Sequence, residues 1–150
     1  MTDLDGENGL GFHVRRAEQA IMARKAEALR ALDLTVSQCM ALGYLMDDAA
    51  KSCTQLGREA NVTSQTMTGV IANLETKGFV ERHTSPDHAR VHLYTLTAAG
   101  EDLAARAHAV SMAIEQDLLE AFSVRDRAQF ARLLDKFTEL APTAGAAPTD

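Results

Sequence analysis

From Ser64 to Asn73 the chain reads Ser-Gln-Thr-Met-Thr-Gly-Val-Ile-Ala-Asn. Ser64, Gln65, Thr66, Thr68 and Asn73 are uncharged hydrogen-bonding side chains. They suit reading the edges of bases: Gln and Asn can bond an adenine edge at two points, and Ser or Thr can reach a base or a phosphate. Further along, His88 and Arg90 follow the turn Thr84-Ser85-Pro86-Asp87. An Arg on a projecting turn suits a phosphate or a minor groove. Catalytic spacings are missing from the sequence: there is no G-x-S-x-G, P-loop, H-E-x-x-H or C-x-x-C, so no enzyme is expected.

The elements that must hold these groups follow from periodicity. Met67, Val70, Ile71 and Leu74 recur at i, i+3, i+4 and i+7, one buried stripe of a helix over residues 64–77. Thr63 caps its start and Gly78 stops it. The readers then lie near the solvent side. A merely structural exposed face would more often carry Glu, Lys and Arg; the alternative is a solvated polar helix. Gly69, mid-helix, costs about 1 kcal/mol against Ala, which a close approach by another backbone or by DNA would explain. A shorter helix over 54–60, capped by Thr54, precedes it, with a turn at Asn61-Val62. Residues 79–83 and 90–96 have strand composition, and Ser85-Pro86 favours a turn between them.

Residues 54–100 resemble the winged helix-turn-helix of the MarR (multiple antibiotic resistance regulator) family. The resemblance rests on Leu56 through Val62, Thr66-Met67-Thr68, Leu74-Glu75-x-Lys77-Gly78-Phe79-Val80-Glu81-Arg82 and Leu96-Thr97-Ala98-Ala99-Gly100, in family order and spacing. It implies a mainly α fold: a winged helix-turn-helix at 54–96, flanked by long dimerisation helices at 10–32 and 98–140. It also implies a ligand-responsive repressor that binds a pseudo-palindromic operator on double-stranded DNA as a homodimer, with no cofactor or metal. Two positions depart from the pattern. Arg90 holds the Arg position of the wing, but His88 stands where Asp is usual and Asp87 lies one residue early, so the acid–Arg brace is not carried over. Gly69 and Asn73 stand where relatives often have Arg, which implies a different operator.

At 150 residues the chain reads as one domain, large enough to bury a core. Its net charge of −6 does not suggest a DNA binder. The distribution softens that objection. Arg58, Lys77, Arg82 and Arg90 balance Glu59, Glu75, Glu81 and Asp87 within 54–96, so the excess acid lies elsewhere. No apolar run approaches the ~18 residues that span a membrane, and the acidic start is unlike a signal peptide, so a cytoplasmic protein is expected. Residues 1–9 and 141–150 read as flexible tails.

The flanks supply the remaining candidates. Leu10, Val14, Ala17 and Ile21, continued by Met22, Ala26 and Leu29, make the first helix apolar more broadly than one small domain needs. Thr35 with Gln38 forms a capping box for a helix to about Met46. Thr97 caps a helix over 98–122, and Ser123 with Asp126 opens a last helix whose buried face is Phe130, Leu133, Leu134 and Phe137. In the resembled family, effectors bind between the first helices and the reading lobe, and some members that sense aromatic carboxylates have an Arg pair here. That implies a small aromatic or carboxylate effector, held by His13, Arg15, Arg16, Cys39 and Tyr44. Only one of the two Arg, about 100° apart, can point inward; the alternative for them is ordinary ion pairing.

Two other readings stay open. One is a redox switch at Cys39 or Cys53; the other is a helical protein–protein module that has lost DNA binding. Cys53 lies where a short strand could pair with the wing. His83, His88 and His92 are read as phosphate-contacting or solvated, not as a metal site.

Overall fold

A computed structural model describes residues 9–47 and 49–140. The expected tails lie outside these residues, apart from Gly9. Helix α1 spans Leu10–Leu29 and runs into a 3₁₀ turn, Arg30–Leu32. Helices α2 (Val36–Tyr44), α3 (Cys53–Glu59) and α4 (Ser64–Thr76) follow, then strands β1 (Val80–Thr84) and β2 (His92–Leu96). Helices α5 (Ala98–Glu120) and α6 (Val124–Leu140) close the order. The chain divides into two compact units, one up to Met112 and one from Ala113.

The first unit is built on the expected stripe. Met67, Ile71 and Leu74 of α4 are buried with Leu42, Leu45, Leu56, Val80 and Leu103, and Val70 packs at the edge of that core. Thr63 caps α4, its hydroxyl accepting the Thr66 N–H at 3.1 Å. Gly78 follows the helix at φ +79°, a left-handed conformation that glycine adopts at least cost. The Thr35–Gln38 capping box is present in both directions.

Several boundaries differ from expectation. Helix α3 begins one residue early and is capped by Ser52, not Thr54. Ser52 and Gln55 form a reciprocal capping box, leaving the Thr54 hydroxyl 3.3 Å from that of Ser64. The segment that pairs with the wing is Lys51, bridged to Tyr94, while Cys53 already belongs to α3. The hairpin is antiparallel, from Val80 opposite Leu96 to Thr84 opposite His92. Arg90 and Val91 therefore lie in the loop rather than in a strand.

Thr97 ties the end of the wing to α5. Its hydroxyl donates to the Gly78 carbonyl at 2.7 Å and accepts the Gly100 N–H at 3.1 Å. Gly100 packs so close that a Cβ there would stand 1.9 Å from the Phe79 carbonyl oxygen, which no side chain could occupy.

In the second unit α6 opens as Ser123 accepts the Asp126 N–H at 3.2 Å. Its expected buried face is not buried within one chain. Phe130 is 53% exposed, Leu133 48% and Leu134 36%, with Phe137 half-buried. Helix α1 behaves alike: of its apolar stripe only Leu29 is buried, and Leu10 and Met22 are exposed. No helix among the described residues is long and apolar enough to cross a membrane.

Candidate nucleic-acid interface and effector cavity

Helix α4 presents the expected polar face. Ser64, Gln65, Thr66, Thr68, Gly69 and Asn73 are all exposed. Their hydrogen bonding separates them. The Thr66 hydroxyl lies 2.9 Å from that of Thr63, and the Thr68 hydroxyl donates to the Ser64 carbonyl at 2.8 Å. Gln65 has no intrachain partner among the described residues, so its whole amide is available. Among the described residues a Cβ at Gly69 would meet nothing within 4 Å, so no described neighbour requires glycine there.

Asn73 departs from the expectation of a free base reader. Its Oδ1 accepts from Gln38 Nε2 of α2 at 2.7 Å. One of its two polar ends is therefore committed inside the chain. No spacing on α4 could signal this, because the partner lies 35 residues upstream.

The wing loop from Ser85 to Val91 is held by its own backbone. The Ser85 N–H donates to the Val91 carbonyl and the Val91 N–H to the His88 carbonyl, both at 2.9 Å. His88 and Arg90 are exposed on it, and among the described residues no ion pair joins Asp87 to Arg90. The missing brace leaves the Arg90 guanidinium free to meet an outside anion. His83 is occupied instead, with Nε2 2.8 Å from the Thr95 hydroxyl. No group of three or more His, Cys, Asp or Glu among the described residues is placed to hold a metal. Arg58, not among the sequence candidates, lines an open groove with Gly57, Asn61, Val62 and Thr63 at the turn between α3 and α4. Its position in the last turn of α3, next to the turn into α4, was the available signal.

The effector candidates split. Cys39 and Tyr44 line a cavity of about 260 Å³ between α2 and α5, with Met40, Gly43, Ala104, His108 and Ser111. Cys39 Sγ lies 3.9 Å from Ser111 Oγ. His108 and Ser111 were missed, although Ala104, His108 and Ser111 recur at i, i+4 and i+7 on one face of α5. His13, Arg15 and Arg16 do not line this cavity. The Arg15 guanidinium sits 5.8 Å from the centre of the Phe12 ring, within cation–π range. Phe12 also meets His13 edge to face at 5.7 Å, and His13 Nε2 is buried with no hydrogen-bond partner among the described residues. Arg16 is exposed.

A sequence model of the MarR family matches residues 32–91. An HTH-type transcriptional repressor of Mycobacterium tuberculosis is 34% identical over 127 residues, covering 85% of this chain and 91% of that protein. The chain belongs to the MarR family. Its winged helix-turn-helix is that of a ligand-responsive, DNA-binding transcription regulator. A crystal structure of a Mycobacterium tuberculosis MarR family protein in complex with salicylic acid is 33% identical and covers 91% of this chain and 99% of that one, with a TM-score of 0.68. The fold also matches the S. aureus MepR–DNA complex at a TM-score of 0.81, with 21% identity and coverage of 88% and 98%.

Proposed function

We propose that this MarR protein is a cytoplasmic repressor, and not an enzyme, that binds a pseudo-palindromic operator as a homodimer and releases it when a small aromatic acid occupies the cavity between α2 and α5. The observation that carries the reading is the exposed, uncharged polar face of α4 beside a wing with a free Arg90. In this reading each subunit lays α4 in a major groove, where Gln65 is the principal base reader, with Ser64, Thr66 and Thr68 on bases or phosphates. Arg90, His88 and Arg58 meet the backbone or the minor groove. Two-fold symmetry sets half-sites about 10 bp apart.

The cavity supports the choice of effector. At about 260 Å³ it is smaller than the roughly 300–1,000 Å³ of sites for drug-sized ligands, and it suits a single ring. Tyr44, His108 and Ser111 can each donate a hydrogen bond to a carboxylate. Arg15 and Arg16 lie outside the cavity in one chain, so in this reading they meet an effector across the dimer.

The test is salicylate added to an operator complex. Wild-type affinity for operator should fall by about tenfold, within the usual range of allosteric coupling. His108→Ala and Ser111→Ala should need several times more salicylate for the same release. Release at the wild-type salicylate concentration by both variants would remove the cavity from the account.

A further inference from the structure

Gln65, Gly69 and Asn73 form an i, i+4, i+8 row along α4, so Asn73 stands at the far end of the row that carries the free base reader. The residue that grips it, Gln38, is a buried polar side chain in the core, 9% exposed. Its amide is held at both ends. Oε1 accepts the Thr35 N–H at 2.9 Å, closing the cap of α2, while Nε2 donates to Asn73 Oδ1. The residues just after it, Cys39 and Met40, and those one turn on, Gly43 and Tyr44, line the cavity. Helix α2 is only nine residues long, with the cavity on one side and the grip on α4 on another.

We propose that Gln38 is the positioning residue through which the cavity governs the reading helix. A ligand that displaces α2 carries Gln38 with it. A buried amide left without its partner is costly, so α4 must follow α2 or give up the bond. Where α4 follows, the Gln65 row turns away from its base-reading pose; where the bond is given up, the Asn73 end of that row loses its anchor. Gln38 is buried and does not line the cavity; it links two sites by a bond that both can bias. The inference rests on the effector reading above.

The experiment measures operator affinity by fluorescence anisotropy, without salicylate and with saturating salicylate, and compares the ratios. Wild type should show a ratio of about tenfold. Gln38→Met keeps the side chain's length and removes both hydrogen bonds; its ratio should fall below about threefold. Asn73→Ala, a change at an exposed position, should do the same, and the double variant should fall no further than either single one. Salicylate binding to free Gln38→Met should stay within about twofold of wild type, a result that loss of folding would not give. Thr35→Ala weakens the same cap without touching the link, and should keep the wild-type ratio. A full wild-type ratio retained in Gln38→Met and Asn73→Ala would overturn the coupling and leave the effector reading standing. A wild-type ratio of one would sink the effector reading, and the coupling with it.

Discussion

Lys51 and Tyr94 exchange both backbone hydrogen bonds: the Lys51 N–H donates to the Tyr94 carbonyl at 3.1 Å, and the Tyr94 N–H to the Lys51 carbonyl at 2.9 Å. The pairing fastens the wing to the segment that enters the helix-turn-helix. The Lys51 ammonium extends the link, donating to the Tyr44 carbonyl and pairing with Asp47 at 2.9 Å and Glu59 at 3.2 Å. Its side chain is only 13% exposed, although both acids are more open to water. Lys51→Met, which keeps the stem and loses the charge, should cost about 1–2 kcal/mol after allowing for solvent screening. Urea unfolding gives the value, and an unchanged midpoint would contradict the role.

The same pair predicts a loss of stability in alkali. Burial, with Cys53 close by, raises the Tyr94 hydroxyl above its ordinary 10.0. Burial alone would lower Lys51, but its hydrogen bonds to Asp47 and Glu59 outweigh that and hold it above 10.5. Each group therefore holds its proton more tightly folded than unfolded. The stability they contribute is complete below the unfolded values and is lost as pH rises through the folded ones. Urea midpoints should fall above about pH 10, and Tyr94→Phe should flatten part of that fall. A midpoint equally pH-dependent in Tyr94→Phe would assign the loss to other groups.

Gln65 and Arg90 should fail in different ways. Gln65→Ala should cost about 1–3 kcal/mol on the cognate operator and relax preference at one base pair. Arg90→Ala should weaken binding to every duplex alike and lower the slope of log affinity against log salt by about 1. Competition with single-base operator variants, run across a salt series, separates the two; equal loss of sequence preference in both variants would be against the assignment.

Phe122, just before α6, stacks on Phe130 of α6 with centroids 6.1 Å apart, yet Phe130 and Leu133 stay about half exposed in one chain. Apolar surface of this kind calls for a cover, and a second copy supplies the same face by symmetry. Leu133→Glu should shift the protein toward the monomer mass of 16.2 kDa in light scattering. A variant that remains dimeric at micromolar concentration would place the interface elsewhere.

What was readable in the sequence was local. The α4 stripe, the Thr35–Gln38 box and Gly78 are each signalled by residues within one or two turns of one another, and all three stand in the fold. Ser52 took the cap from Thr54 because both are good capping residues and only Ser52 has Gln55 three positions on. The Gln38–Asn73 bond joins distant segments, so neither residue's neighbours announce it. His108 and Ser111 looked like ordinary polar positions on α5 until α2 packed opposite them. The apolar face of α6 was legible as a pattern, but a pattern does not say whether the cover comes from the same chain.

Everything proposed for this protein depends on α4 and the wing reading DNA, two subunits to a site. Fluorescence anisotropy on the duplex upstream of the protein's own gene, against a scrambled duplex of equal length, tests it most directly. Binding should saturate at two protomers per duplex, depend steeply on salt, and favour this duplex over the scrambled one by at least about a thousandfold. Equal binding to both duplexes, or none to either at low salt, would contradict it.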